Sequence, residues 1–535
     1  MKKYLKLVAS VAFVGLNSLM TAQAPALGTT SNFALFSKNG AVTNTGLSHL
    51  TGDVGTANGA ATNFGNVDGV MHDSDGAAES AAASLTIAYN LLNAATPNFF
   101  PAPLLGNGQT LTAGTYSIGQ SATLDNTLTL DGGGSANSVF IIQIQGAFSS
   151  TSGSKVILTN GAVACNVFWK VEGLVNLATN TEMKGTIVAN NAAIVLNDGV
   201  KLEGRALSTT GAISVSGVTV TKPIGCGSVT LTGPLQPALN SVACYTIFTG
   251  SGTVTNSGVS LVTGDIGSNV GLTTGFSALN VTGTIHSNPD MSTATCATDL
   301  GTVYTYLNIL PTDIELLYPA SFGNDLVLTP HTYLLNAATV LNGNVILNAQ
   351  GNADAVFVIK IVGALSTSTY ASVILQNGAQ AKNVFWKVDG AISLNDYSNF
   401  KGTLIGNNGA INLNTGVNIE GRVLTTTGAV ATASITAVMT AGCNTGTLAV
   451  GASNLDKQNA KFYPNPFTSV LNVSLNDTNL GSNLTIYNAA GSRVVSKVLN
   501  DKTNALQMTL PAGTYFYQLK SKNGKQQTGK IISKP

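Results

Sequence analysis

The sequence predicts a fold dominated by β-structure: two triangular β-solenoids, each with one α-helix packed alongside, and a small β-sandwich at the C-terminus. Three observations carry this. Two long stretches of the chain repeat one another. Within each, strand-like pieces of four to six residues recur between Gly, Asn and Asp. From Lys461 onward, charge and pattern both change.

The repeat is clearest at "NVFWKVEG" (Asn166 to Gly173), which returns as "NVFWKVDG" (Asn383 to Gly390), each holding one of the chain's two tryptophans. "VTNTGLSHLTGDVG" from Val42 likewise returns as "VTNSGVSLVTGDIG" from Val254, and "GTIVANNAAIVLNDG" as "GTLIGNNGAINLNTG". The expected organisation is an export signal over 1–22, one solenoid over 24–226, a connector over 227–241, a second solenoid over 242–443, a connector over 444–460 and a C-terminal domain over 461–535. The signal rests on Lys2, Lys3 and Lys6 before the apolar run Leu7 to Leu19, with Ala22 near the cleavage point.

Within a repeat the pieces fall into a three-step cycle, the mark of a triangular solenoid. One class is apolar on both sides ("FIIQI", "VFWKV", "GTIVA"). A second alternates small polar with apolar residues ("SATLD", "AFSST", "AISVS"). A third carries charge or Thr outside ("TLTLD", "KVILT", "VKLEG"). One segment breaks the pattern: Asp73 to Ala95 is Ala-rich and places Leu85, Tyr89 and Leu92 at helical spacing, with Pro289 to Leu310 as its counterpart. A lone helix must bury its apolar stripe. The doubly apolar face, with Trp169 or Trp386 pointing outward beneath the helix, is the expected place. The tail has nine Lys/Arg against two Asp and alternates with period two, which reads as the small sandwich.

Composition narrows function. Charged residues are 9% of the 535 and net charge is +1, so no bulk electrostatic term favours a nucleic acid. No apolar run after the N-terminus is long enough to span a bilayer as a helix. Export permits disulfides, but five cysteines match no zinc template. Cys226 and Cys443 are repeat-equivalent, whereas Cys165 has Lys382 opposite, so a bridge common to both repeats is not expected. Cys244 with Cys296 is a candidate pair confined to the second repeat. Of the four histidines (His49, His72, His286, His331), His72 and His286 are repeat-equivalent and precede the helices, where a capping or turn role fits. Asp53 and Asp265 lie in Thr-Gly-Asp turns, and Glu203 and Glu420 lie in "EGR", where pairing with Arg205 is the structural reading. No catalytic motif, metal set or cofactor loop stands out, so neither enzyme nor cofactor is expected.

What remains is surface. With apolar residues inside, the second strand class points outward Ser121, Thr123 and Asp125, then Ala147, Ser149 and Thr151. Asn176 and Ala178 follow, then Ala193, Val195 and Asn197, then Ala212, Ser214 and Ser216. The second repeat presents Ala338, Val340 and Asn342, then Ala364, Ser366 and Ser368. Ser393 and Asn395 follow, then Ala410, Asn412 and Asn414, then Ala429 and Ala431. No Lys, Arg or Glu is among them, whereas the third class exposes Lys155, Lys201 and Glu203. Rows of short side chains at the coil repeat of about 4.8 Å make a flat, regular surface. Such a surface either keeps a solenoid soluble or binds another regular array: ice, a polysaccharide or a second copy.

The pieces "VTNTG…TGDVG", "MHDSDGAAESAAASLTIAYNLL", "AGTYSI", "KVILTNGAVACNVFWKV" and "EGRALSTTGA" together resemble the large β-solenoid ice-binding proteins of polar microbes, over nearly all of 30–225 and 245–440. The resemblance implies a right-handed triangular β-helix with one helix alongside and one flat face that adsorbs to ice. That family's ice face has no fixed motif, so the second strand class is assigned by the charge argument. "YPNPF", "AGTYFYQL" and "GKII" resemble the C-terminal sorting domain of the type IX secretion system, which implies that machinery as a partner and release or surface attachment after export. The expected protein is secreted, binds an ice surface and inhibits ice growth and recrystallisation. A polysaccharide-binding adhesin is the alternative.

Overall fold

The computed structural model describes residues 23–225, 230–440, 443, 460–476, 480–522 and 526–535. The export signal, the 444–460 connection apart from its last residue, and part of the 227–241 connector lie outside the described residues. The chain divides into two compact units, Met1–Cys443 and Asn444–Pro535.

The first unit holds both solenoids, and all their strand pairs are parallel. In the first, an eight-stranded sheet runs Ala61–Thr62, Val42–Thr45, Ile213–Ser216, Ile194–Leu196, Val175–Leu177, Phe148–Ser150, Ala122–Asp125, Leu104–Gly106. The other two faces merge into a thirteen-stranded sheet, because Glu182–Ala189 and Lys201–Ser208 run through a corner without breaking. Glycine makes that corner possible: Gly185 has φ +101°, and a Cβ on Gly204 would stand 1.9 Å from the Gly185 carbonyl oxygen. The second solenoid repeats the plan with eight- and fifteen-stranded sheets. The N-terminal strands do not begin the stack. Phe33–Ser37 pairs with Lys201–Ser208, and Val42–Thr45 with Ile213–Ser216, so the chain start is laid on the last coil.

Each solenoid has a continuous apolar interior and a second apolar cluster beneath its helix. Helix α1 (Gly76–Ala94) is capped by Asp75, whose Oδ1 accepts from the Ala78 amide at 2.8 Å, and α2 (Met291–Ile309) by Asp290 in a reciprocal box with Thr293. Ala78, Ala81, Leu85 and Leu92 of α1 pack on Phe36, Ile141, Phe168, Val188 and Leu207. His72 and His286 contact these cap aspartates through Nδ1, at 2.7 and 2.6 Å, as their positions predicted.

Two expectations fail here. Trp169 and Trp386 point into the solenoid interior, and Phe168 and Phe385 lie beneath the helices. Each indole Nε1 donates inward, to the Lys184 or Lys401 carbonyl at 2.9 Å. All five residues of Val167–Val171 are buried, so alternation carried no signal, and a one-residue error of register swaps the two faces. The helix side of that strand also takes Lys170, which is fully buried but paired with Glu172, itself the acceptor of the Tyr89 hydroxyl at 2.7 Å. The second failure is the Cys244–Cys296 pair. Cys244 is bonded to Cys443, which ties the start of the second solenoid to its end. Cys296 is a buried free thiol facing the core from α2, and burial raises its pKa. Cys165 is also disulfide-bonded.

The connector is held down. The Leu231 carbonyl accepts from Asn352 at 3.1 Å, the Thr232 carbonyl from the Val356 amide at 2.9 Å, and the Leu235 carbonyl from Tyr306 at 2.8 Å. The second unit is the expected sandwich: antiparallel sheets of three and four strands over one core containing Phe467, Val473, Ile486, Tyr517 and Ile531. Among the described residues, no helix is long and apolar enough to cross a membrane.

Candidate functional site

The second strand class forms one sheet in each solenoid, and the outward residues align rung by rung. In the first, Leu104, Thr123, Ser149, Asn176, Val195, Ser214, Thr43 and Thr62 are successive register partners. In the second the column is Val340, Ser366, Ser393, Asn412, Ala431, Thr255 and Thr274. Ala147, Ala193 and Ala212 flank the first column two residues earlier, level with Ser121 at one end; Ala338, Ala364, Ala410 and Ala429 flank the second. Thr151, Ala178, Asn197 and Ser216 lie on the other flank beside Asp125, and Asn342, Ser368, Asn395 and Asn414 do so in the second solenoid. Every predicted site residue thus lies in or next to a strand of the sheet expected for it, exposed or partly exposed.

Two features hold these sheets flat. A glycine column leads into the second face, where a Cβ on Gly428 would meet the Gly409 carbonyl oxygen at 2.4 Å and one on Gly409 the Gly390 carbonyl carbon at 2.2 Å. Larger residues there would force the coils apart. Side chains also bond along the columns: Thr123 with Ser149 at 3.2 Å, Asn197 Nδ2 to Asn176 Oδ1 at 2.9 Å, and Asn414 Nδ2 to Asn395 Oδ1 at 3.1 Å. Such bonds fix rotamers that would otherwise wander. The carboxylate at the rim, Asp125, accepts from Thr151 Oγ1 at 2.6 Å.

Sequence reasoning missed three groups. Thr43, Thr45 and Thr62 extend the first face past the last coil, and Thr255 and Thr274 extend the second. The signal was present, because "GAVTN" at Gly40 repeats the pattern of "GAISV" at Gly211. Leu174 and Leu104 also sit on the first face, 44% and 54% exposed, where the second has Ala391 and, beside Phe322, Ser321. The Lys and Glu side chains lie elsewhere. Glu203 pairs with Lys184 at 2.8 Å and not with Arg205, because the corner at Gly204 turns Arg205 inward to the Ser31 carbonyl at 3.0 Å. Asp53 accepts from the Val70 amide at 2.9 Å, a turn role. Among the described residues no group of His, Cys, Asp and Glu is arranged to hold a metal ion.

Comparison with known proteins agrees with the duplicated solenoid. Residues 36–221 and 247–438 each match the ice-binding-like family, and 461–534 match the secretion system C-terminal sorting domain. An ice-binding protein of Nostoc sp. (strain HG1) is 38% identical over 232 residues, 42% of this chain and 85% of that one. One from Flavobacterium frigoris (strain PS1) is 31% identical over 215 residues, 37% of this chain and 76% of its own. The crystal structure of an ice-binding protein from an Antarctic Flavobacteriaceae bacterium superposes with TM-score 0.78 at 72% identity, covering 79% of this chain and all of that one. The two family matches span most of the chain, and with solenoid, helix and uncharged sheet all duplicated, the protein belongs to the ice-binding-like family.

Proposed function

We propose that the protein is a secreted, non-catalytic ice-binding protein whose two eight-stranded sheets, free of Lys, Arg and Glu, adsorb to ice. The carrying observation is the pair of rung-aligned columns, Thr123–Ser149–Asn176–Val195–Ser214–Thr43 and Val340–Ser366–Ser393–Asn412–Ala431–Thr255. Short hydroxyl, amide and methyl groups at a repeat of about 4.8 Å can hold ordered water against the sheet. A lattice cannot rearrange as a protein partner does, so flatness and the lack of long side chains are what adsorption requires. Bound molecules pin the growth front, which curves between them, and growth and recrystallisation slow. Residues 24–226 and 242–443 serve as the two adsorbing domains.

The tail from about 461 directs export through the outer membrane by the type IX machinery and takes no part in adsorption. Labelled protein on a growing single ice crystal tests the reading. The expected result is a bound layer that survives washing, and no layer would overturn it. Deleting 461–535 should trap the protein in the periplasm with ice binding intact; secretion of the truncated chain would refute the tail's role.

A further inference from the structure

Where the two solenoids meet, beside the contact of His49–Thr51 with Leu326–Leu328, lies a polar joint. The Asn66 amide pairs with both backbone groups of Tyr318, Nδ2 donating to its carbonyl at 2.9 Å and Oδ1 accepting from its amide at 2.8 Å. Beside it, buried Asp68 accepts from Thr329 Oγ1 at 2.7 Å and from the Tyr333 hydroxyl at 2.5 Å. Asn66 and Asp68 belong to the end of the first solenoid where the chain start is laid on. Thr329 and Tyr333 belong to the opposite end of the second.

The repeat supplies an internal control, because each solenoid carries both kinds of end and one of each is free. At the free end matching the Asp68 side, "NVTG" replaces "NVDG", so the acid's place is taken by exposed Thr282. At the free end matching the Thr329 side, Tyr116 makes the same turn bond to the Thr112 carbonyl that Tyr333 makes to Thr329, at 2.6 Å in both. There Thr112 is exposed and Gly114 replaces His331. The solenoid's own architecture therefore needs neither the acid nor the buried threonine. They occur together only where two solenoids touch. A buried carboxylate costs desolvation, and at this joint the Thr329 hydroxyl, with the Tyr333 hydroxyl shared between Asp68 and the Thr329 carbonyl, offsets part of it.

We infer that Asn66 and Asp68, with Tyr318, Thr329 and Tyr333, form a latch that fixes the two solenoids as one body, so that their two faces meet ice in a set relation. The inference rests on the reading of both sheets as ice-adsorbing. Asn66 and Asp68 are positioning residues that touch no ice. A fixed joint raises the effective concentration of the second face once the first has landed, provided both reach the same crystal; a loose joint spends part of that gain on chain entropy.

The test uses the full chain. Asp68→Thr installs the second solenoid's own residue, which that end of the fold tolerates, and Thr329→Val removes a donor from the other side. Spin labels at exposed Lys201 and Lys382, attached without cysteine chemistry, report the distance between solenoids. The intact chain should give one narrow distribution and each variant a broad one, with melting of the solenoids unchanged. The intact chain should also stop recrystallisation at a concentration about tenfold or more below an equimolar mixture of the single-face chains Ser149→Tyr and Ser366→Tyr. The latch variants should shift to the level of that mixture. Narrow distances in both variants overturn the latch. Broad distances with unchanged recrystallisation overturn the coupling. An intact chain with no effect on ice sinks the ice-adsorbing reading, while the distances still judge the latch.

Discussion

The two solenoids agree on one surface and disagree on the one next to it. Their eight-stranded sheets are alike, with Ser149 matched by Ser366 and Asn176 by Ser393. Around the corner the first solenoid stacks Thr127, Lys155, Glu182, Lys201 and Thr219, with Lys155 and Glu182 ion-paired at 3.2 Å. The second stacks Asn344, Ser372, Asn399, Asn418 and Thr436 at the same places. Either set serves a parallel sheet, so the fold places no demand on charge at the corner. The fold alone would equally admit Lys and Glu on the eight-stranded sheets, yet both copies lack them. That difference points to a requirement on the sheet that does not come from folding.

The largest expected effect breaks the likeness directly. Ser149→Tyr and Ser366→Tyr place a ring at the middle of each column, where the nearest neighbours are Thr123 and Asn176 or Val340 and Ser393. Each ring must hold its sheet off a rigid lattice. The double variant should lose thermal hysteresis altogether while keeping its melting temperature, because both side chains point outward. Retained hysteresis would move the ice face elsewhere.

The next comparison lies behind the sheets. Trp169 stacks on Phe148, whose strand carries Ser149, with ring centroids 5.2 Å apart. Trp386 instead meets Phe400 at 4.8 Å and Phe322 at 6.2 Å. Replacing either with Ala should cost ~3–5 kcal/mol in chemical denaturation, as for large buried aromatics generally. Trp169→Ala should lower the ice affinity of the folded fraction more than Trp386→Ala, since Phe148 backs the mid-column Ser149 whereas Phe322 backs only the last rung of its sheet. Equal loss of ice affinity in both variants would refute that distinction.

Much of this was legible in the sequence. The repeat, the helices, the solenoid, the tail and the uncharged sheet all depend on short-range pattern, which alternation and spacing record. The tryptophans were misplaced because "VFWKV" is buried on both sides, leaving no polar residue to mark the register. Cys443 was matched to no partner because its bond spans 199 residues, and closure of the solenoid, not local pattern, brings Cys244 to it. The rungs at Thr43 and Thr62 were missed because they precede the helix in sequence but follow the last coil in space. The last two misses are long-range pairings.

A smaller effect separates the helices. Asp75 caps α1 alone, whereas Asp290 shares its box with Thr293. Asp75→Ala should cost ~1 kcal/mol and Asp290→Ala less, by the usual range for N-caps. The Ala78 and Thr293 amides, and then His72 and His286, hold these two carboxyls below the ordinary aspartate range. Folded pKa values below the unfolded ones mean a contribution that is full above about pH 4 and fades as acid passes the folded values. The wild-type advantage over Asp75→Ala should therefore shrink below about pH 4 in thermal melts; an advantage constant with pH would mean that the cap acts without its charge.

The smallest expected effect concerns the corner itself. Lys155→Ser with Glu182→Asn and Lys201→Asn gives the first solenoid the second's residues at those rungs. The Lys155–Glu182 pair is largely exposed, so losing it should change stability by less than ~1 kcal/mol. These side chains point away from the eight-stranded sheet, so hysteresis should also stay put, and Lys155→Tyr should be nearly as silent. A clear gain in the triple variant would mean that charge at the corner had been holding ice away. The adsorbing surface of the second solenoid would then continue past its sheet, and the two domains would differ in which ice planes they take. A loss would put the contact at charged rungs that the second solenoid lacks, although it keeps the Lys401–Glu420 pair farther along the same strands.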